Sequence, residues 1–285
     1  MLELLMKPRK AERRPWEMFF VGLVYASLSL ILVSWFFSRD SVLIEYSGIL
    51  VVTFTVICSL PFVYYLIKLE EGKDLEISSE GKLIREHYKA IKAMVWLFLG
   101  FVVAFSILYV VMPESTSKNF NAQVQVFCAI NSPNNFDYCV KQNGVSPITG
   151  NAAGSNIVMA IFSNNISVLV FTIFFSLAFG AGAIFILAWN ASVIAAAIGI
   201  FSEGTIKNLP LGLLRYMIHG VPEIAAYFFG ALAGGIISVA IIRRDLKGEN
   251  TWKILQDSLL LIIVAIIILF LAALVEVFIT PKIFG

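Results

Sequence analysis

A histidine and a glutamate four positions apart, His219 and Glu223 in the stretch His-Gly-Val-Pro-Glu, are the residues of this chain best suited to chemistry. In a continuous helix the two side chains would share one face, where they could bind a cation or relay protons. Zinc needs three or four protein ligands, so we expect no metal here. The structural alternative puts Pro222 in the first turn of a helix and Glu223 at the positive end of its dipole, which leaves His219 unexplained. The pair is therefore a polar brace, a binding or transport site, or a catalytic pair.

Three asparagines lie in or beside apolar segments, where a polar group is costly and needs a reason. Asn164 and Asn165 open one such segment. Either Ser163 or Asn164 caps a helix there, or an amide lines a polar pocket. Asn190 lies inside the next segment, where it either hydrogen-bonds a neighbouring helix or lies on a substrate or ion path.

A second glutamate, Glu276, lies late in the last apolar segment. It either reaches interfacial water or pairs with Arg215, which we expect on the same side of the membrane. In a seven-span arrangement one group of polar residues falls at the outer leaflet, and Asn190 alone lies deeper. That group comprises Asn164, Asn165, Arg215, His219, Glu223 and Glu276. Transporters usually bind their substrates near the midplane, so this placement favours an external interaction site over a translocation path.

The composition indicates a membrane protein. Hydrophobic residues make up 59% of the 285 residues and charged residues only 14%, whereas soluble domains carry roughly 45–50% and ~25%. A formal net charge of +2 gives no indication of a nucleic-acid partner. The sequence contains no phosphate-binding loop, no H-E-x-x-H and no G-x-S-x-G motif. We therefore expect a protein that is not an enzyme, with no catalytic residue, no metal and no cofactor.

Seven segments are long and apolar enough to span a bilayer, which needs about 20 residues of helix. The prediction is an all-α transmembrane bundle with spans at 17–37, 47–67, 93–112, 163–181, 184–202, 221–242 and 256–279. The first run is too long for a signal-peptide core and is expected to remain as a helix. Residues 157–201 contain no Lys, Arg, Asp or Glu, and we divide them at Gly180 and Gly182 into two helices joined by a tight turn. The alternative, one long helix and a half-buried one, gives six spans.

The distribution of basic residues predicts the orientation. With the N-terminus inside, 15 of the 21 Lys and Arg residues fall on the inner side, as the positive-inside rule requires. Residues 68–92 mix both charge signs, and we interpret them as a solvated, partly helical linker on that side. The expected location is the cell membrane, with an N-terminus in the cytoplasm.

The longest segment outside the membrane is the outer loop 113–156, which contains Cys128 and Cys139. In an oxidising exterior the two could close a small loop, and the alternative is two free thiols. Within the sixth span, Gly230 and Gly234 form a G-x-x-x-G step that permits close helix packing and is compatible with a homodimer.

These features occur together in one order: Asn164-Asn165, Gly180-Ala181-Gly182, Asn190, then His219-Gly220-x-Pro222-Glu223 and a glycine-rich continuation. In this order and spacing they resemble the stage II sporulation protein M (SpoIIM) family over roughly residues 90–245. The family often has an asparagine-glycine pair where this chain has Asn190-Ala191. The resemblance divides the chain into an N-terminal part of two spans with the inner linker (1–92), a SpoIIM-like core (93–245) and a C-terminal span (246–285).

The resemblance implies a multi-pass membrane protein that organises partners without being an enzyme. In spore-forming bacteria, members of the family act with partner proteins in a complex that remodels the cell wall. We therefore expect a scaffold that presents residues 113–156 and the outer polar residues to an envelope or membrane partner, and that forms a homo-oligomer such as a dimer. The alternative is a transporter or channel component with a polar path through Asn165, Asn190, His219 and Glu223.

Overall fold

The computed structural model describes residues 6–37, 40, 43–76, 80–112, 119–131, 154–202, 205–243 and 249–284. Over these residues the chain is helical, as predicted. The helices are α1 (Pro8–Arg13), α2 (Glu17–Phe37), α3 (Ser47–Glu76), α4 (Glu80–Val111), α5 (Asn121–Asn131), α6 (Gly154–Phe179), α7 (Ala183–Phe201), α8 (Leu209–Arg243), α9 (Glu249–Phe278) and α10 (Thr280–Phe284). A short 3-10 turn at Ile206–Asn208 precedes α8.

Seven helices in the described part of the chain are long and apolar enough to cross a membrane, namely α2, α3, α4, α6, α7, α8 and α9. This confirms the seven-span prediction. Helices satisfy their own backbone hydrogen bonds, which the interior of a bilayer cannot do. Helix α8 lies at the centre of the bundle and contacts α3, α4, α6, α7 and α9.

The division between the fourth and fifth spans depends on Gly180. Its φ of 63° lies in the left-handed region, which side chains other than glycine rarely tolerate. The hydroxyl of Ser176 lies 2.7 Å from the carbonyl oxygen of Gly180 and 2.5 Å from that of Ala231 in α8. The turn is thereby attached to the central helix, and the six-span alternative is excluded.

Several helices are longer than their apolar runs. Helix α6 begins at Gly154 and α8 at Leu209, so Asn164, Asn165 and Pro222 lie well inside helices. The interpretations of Asn164 as an N-cap and of Pro222 as a first-turn residue were therefore wrong. Hydropathy locates only the apolar part of a span. The helix itself can continue beyond that part, because polar residues also adopt helical backbone conformations. A proline is accepted in a transmembrane helix because its surroundings can satisfy the freed backbone carbonyl.

The prediction that the inner linker 68–92 is solvated also needs correction. Helix α3 continues to Glu76 and α4 begins at Glu80, so most of the linker 68–92 extends the two spans. Glu70 and Glu71 are fully buried and His87 is 1% exposed. Two carboxylates and a histidine of the linker are therefore buried. The linker is partly helical, as predicted, but is not solvated throughout.

Part of the outer loop is buried in the bundle. Phe120, Gln123 and Cys128 are fully buried, and the Gln123 amide donates to the carbonyl of Gly48 and the hydroxyl of Ser192, each at 3.1 Å. The structure therefore seats α5 between α3 and α7, a position that the loop interpretation did not foresee. Cys128 is disulfide-bonded and Cys58 is free, while Cys139 lies outside the described residues.

Two pairs of helices approach at backbone distance through glycines. Gly22 of α2 and Gly100 of α4 face each other, and a Cβ on Gly100 would lie 2.9 Å from the Cα of Gly22. Gly230 and Gly234 of α8 face α6, so the G-x-x-x-G step packs within this chain. A Cβ on Gly234 would lie 2.7 Å from the carbonyl oxygen of Ile173, and backbone atoms cannot move aside as a side chain can.

We therefore expect Gly234→Ala to destabilise the protein by about 1–3 kcal/mol through overpacking. Gly230→Ala should lower the stability by less, because the added Cβ would first meet the flexible end of the Leu169 side chain. Gly220→Ala in the same helix is the matched control, since its nearest neighbour is the Met217 methyl at 3.5 Å. Thermal unfolding in detergent measures all three variants. Equal transition temperatures for Gly234→Ala and Gly220→Ala would contradict the close approach of α6 and α8.

Candidate functional site

Five polar side chains from three regions of the chain meet at the end of the bundle that the distribution of Lys and Arg predicts to be the outer one. We call them the outer polar cluster: Asn165, His219, Glu223, Glu276 and Thr280. The amide nitrogen of Asn165 in α6 donates to a carboxylate oxygen of Glu223 in α8 at 2.7 Å. The hydroxyl of Thr280 lies 3.5 Å from Nδ1 of His219. Glu276 lies close enough to Glu223 to interact with it electrostatically. The cluster therefore joins α6, α8 and the junction of α9 with α10.

The continuity of α8 aligns the cluster. Because the helix runs unbroken from Leu209 to Arg243, His219 and Glu223 lie one turn apart on one face. Tyr227, 3% exposed, follows one turn further in. Asn165 is itself 6% exposed and lies about 16 Å along α6 from its start at Gly154. The cluster therefore lies well inside helix α6 instead of at its N-terminus.

No ion pair between described residues joins a Lys or Arg side chain to either carboxylate of the cluster. The guanidinium of Arg215, one turn before His219, lies over the ring of Phe201 at 5.0 Å from its centroid. No ion pair joins Arg215 to Glu276 in the described part of the chain. A proton or a monovalent cation held between the two carboxylates would relieve their repulsion. Among the residues that the structure describes, no group of three or more His, Cys, Asp or Glu could hold a metal ion.

The other predicted residues lie apart from this cluster. Asn164 is exposed, next to the buried Asn165. The Asn190 amide donates to the carbonyl of Ile186 in its own helix at 2.7 Å. No hydrogen bond found over the described ranges joins Asn190 to the cluster, so the residues proposed for a translocation path do not form a continuous chain.

A second polar assembly lies at the inner end, where sequence reasoning predicted only a linker. This inner ionic network comprises Glu12, Glu70, Lys73 and His87. The Lys73 ammonium lies 2.6 Å from one carboxylate oxygen each of Glu12 and Glu70. The other Glu70 oxygen lies 2.8 Å from Nδ1 of His87. The network thus joins α1, α3 and α4.

Glu70 is the central member of this network, because it accepts from both Lys73 and His87 while being fully buried. A buried carboxylate is tolerated only when such partners compensate for its lost hydration. A sequence signal was present: Leu66, Ile67, Glu70 and Glu71 follow one another at helical spacing, so the inward face continues beyond the apolar run. Because Glu70 and Glu71 are polar, a prediction based on hydropathy ends the second span at residue 67, before it reaches them.

Burial, with a smaller contribution from neighbouring Glu70, raises the pKa of Glu12 to about 7. Lys73 lowers the pKa of Glu12, but by less than burial and Glu70 together raise it. The protonated form of Glu12 is therefore favoured in the folded protein. The docking of α1 should respond to pH in the neutral range, because Glu12 is the residue through which α1 joins the inner ionic network.

Comparison with known proteins gives one family and one relative. The family model described as Stage II sporulation protein M matches residues 93–281, a range that includes the last span. An uncharacterized protein of Methanocaldococcus jannaschii is 34% identical over 129 residues, which cover 44% of this chain and 71% of that protein. No solved structure matches.

The Asn165–Glu223 hydrogen bond can be tested by a double-mutant cycle with Asn165→Ala and Glu223→Ala. We expect each single change to destabilise the protein by about 1–3 kcal/mol, since each leaves a partly or fully buried group unpaired. The coupling energy should be roughly 0.6 to 1.7 kcal/mol, the range for hydrogen bonds between membrane helices. The cycle is measured by unfolding in mixed micelles. Strict additivity would mean that the two side chains are not joined.

The pKa of Glu12 predicts how docking of α1 depends on pH. A carboxyl group whose pKa is raised by folding stabilises the docked state fully below its ordinary value near 4.5, and this contribution is lost as pH rises through about 7. Hydrogen exchange of residues 8–13, corrected for the intrinsic effect of pH, should show protection falling between about pH 4.5 and pH 7 and levelling off above pH 7. Glu12→Gln, which stays neutral, should flatten this dependence. If the variant keeps the dependence, another group facing α1 causes it, with Glu70, Lys73, Glu86 and His87 as the candidates.

Proposed function

Because the chain belongs to the stage II sporulation protein M family, we propose that it is a non-enzymatic scaffold of the cell membrane that organises envelope partners. The observation that carries this proposal is the hydrogen bonding of the predicted polar residues, which bond within the protein. Asn165 and Glu223 hydrogen-bond each other across two helices, and Asn190 is engaged within its own helix. Polar residues used in this way hold helices in fixed positions, which is what a scaffold requires.

The surface offered to a partner lies on the outer side, with the N-terminus in the cytoplasm. Helix α5 is seated in the bundle by Phe120 and Gln123, so it anchors the segment that follows it. We propose that the outer loop beyond α5 reaches the partner, and that the protein acts as a homo-oligomer such as a dimer. Since Gly230 and Gly234 pack against α6, that dimer would use a surface other than the G-x-x-x-G step.

The second candidate function is transport of a proton or monovalent cation. It is favoured by two carboxylates and a histidine that lie together in the outer half of the bundle, with Arg215 directed to Phe201 instead of to them. Ionisable groups inside a membrane often mark such paths. We prefer the scaffold because the polar residues of the cluster extend only as far as Glu223, and no hydrogen bond among the described residues links them to Asn190.

The scaffold proposal predicts a stoichiometric partner in native membranes. Cross-linking followed by affinity purification and mass spectrometry should recover an envelope protein with the wild-type chain. Replacing residues 141–153 by a short Gly-Ser linker should abolish recovery, because it removes the presented segment while keeping α5, Cys128 and Cys139. Recovery of this chain alone, as a discrete oligomer, would contradict the scaffold.

Glu223→Gln separates the two functions because the glutamine oxygen can still accept from Asn165. The scaffold proposal expects unchanged partner recovery and no ion flux above empty liposomes for either protein. The transport proposal expects a flux in wild-type proteoliposomes that the variant loses. Wild-type flux would therefore overturn the scaffold as the main function, provided that the variant has the same oligomeric state.

A further inference from the structure

The inner end of the bundle contains a cavity of about 800 Å³ between α1, the end of α3 and the beginning of α4. Six cationic side chains line it: Arg9, Arg13, Lys73, Arg85, Lys89 and Lys92. Two carboxylates, Glu12 and Glu86, also line it. The volume is within the range of ligand pockets, roughly 300–1,000 Å³. The excess of cations indicates an anionic occupant.

Four of these cations have no carboxylate partner. Lys73 is held by Glu12 and Glu70, and Lys89 lies 2.6 Å from Glu86. Within the described ranges no ion pair involves the remaining four, which are Arg9, Arg13, Arg85 and Lys92. The Lys92 ammonium lies 5.3 Å from the ring centroid of Tyr88, which also lines the cavity. The internal carboxylates therefore leave most of the positive charge available to a ligand.

A second, mainly apolar cavity of about 320 Å³ adjoins the first and shares Arg9 and Leu69 with it. Its other lining residues are Lys7, Pro8 and Tyr65. A basic compartment next to an apolar groove matches a molecule with a charged head and a hydrocarbon chain. A free inorganic anion would use only the basic compartment.

The position of the cavity relative to the membrane supports a lipid. Trp16, Tyr65 and Tyr88 are 53%, 48% and 52% exposed and surround this end of the bundle. Exposed Trp and Tyr mark the interface between headgroups and acyl chains. The distribution of Lys and Arg places this end on the cytoplasmic side, where basic pockets between helices bind anionic headgroups.

We propose that this cavity is a binding site for an anionic phospholipid of the inner leaflet. The phosphate lies among Arg9, Arg13, Arg85 and Lys92, and one acyl chain lies in the groove formed by Pro8, Tyr65 and Leu69. Because the site is shared between α1 and α4, a bound lipid holds the N-terminal helix against the first turns of the third span. The site is separate from the outer polar cluster and does not depend on the proposed scaffold function.

The test uses the full-length protein in neutral mixed micelles, titrated with phosphatidylglycerol or with phosphatidylcholine of the same acyl chains. Apparent affinities follow from the rise in unfolding temperature with lipid fraction. We expect phosphatidylglycerol to stabilise the wild type and phosphatidylcholine to have little effect. Arg9→Gln with Arg13→Gln should weaken the apparent affinity for phosphatidylglycerol about 25-fold, since each cation near an anionic surface contributes roughly fivefold.

The matched control is Lys10→Gln with Arg14→Gln, which removes two charges from the same region but outside the cavity. In the structure both side chains pair with Glu17, at 2.8 Å and 3.2 Å. This control should keep wild-type affinity, and an equal loss would overturn the proposal in favour of diffuse surface attraction. Arg85→Gln, in α4, tests the site if the α1 variant loses its fold, and it should weaken binding about fivefold.

Inorganic phosphate in place of lipid distinguishes the source of the anion. We expect millimolar phosphate neither to stabilise the protein nor to displace phosphatidylglycerol. Stabilisation by phosphate alone that Arg9→Gln with Arg13→Gln abolishes would assign the cavity to a soluble anion and overturn the lipid assignment. Equal stabilisation by phosphatidylcholine would likewise overturn it, because it would require no charge recognition.

Discussion

Helices in a bilayer gain little by covering apolar surface, because lipid tails are as apolar as the side chains they would replace. Association therefore depends on close backbone approach and on polar groups that find partners between helices. Both are present here. Gly22 and Gly100 bring α2 against α4, so one of the two spans before the matched family region packs directly on that region. Gly234 brings α8 against α6, and the hydrogen bond from Ser176 to Ala231 joins the same two helices. Gln123 connects α5 to α3 and α7.

The two ends of the bundle use charge in opposite ways. At the inner end Glu70 is held by Lys73 and His87, and further cations nearby form no ion pair with any residue that the structure describes. At the outer end Glu223 and Glu276 approach each other, and a neutral amide is the hydrogen-bond donor to Glu223. The molecule therefore has a basic inner end and an acidic patch in its outer half. The basic end follows from the positive-inside rule, whereas the acidic patch does not.

Much of the architecture could be predicted from the sequence, because the requirement for about 20 apolar residues per span is strong. The seven spans, the turn at Gly180 and the common face of His219 and Glu223 in a continuous helix were all predictable. The helix ends were not, since hydropathy stops at polar residues while α3, α6 and α8 continue through them. Contacts between residues distant in sequence could not be predicted either. The residues around Asn165 do not indicate that it pairs with Glu223, and those around Glu12 do not indicate that it pairs with Lys73. Helix α5 was missed because, at 11 residues, it is too short to span a bilayer and lies in a segment rich in Asn, Ser, Pro and Gly.

The seating of α5 constrains the order in which the chain can be assembled. Its cleft is formed partly by α7, and one of the two partners of Gln123 is Ser192, more than sixty residues later in the chain. During synthesis α5 therefore emerges before its binding site exists and has to wait outside the unfinished bundle. Cys128, which is oxidised in the folded protein and inaccessible to solvent there, is open to oxidants during that interval. The timing of α7 insertion thus sets the period available for oxidation, so a delay in translation between the two helices would lengthen it.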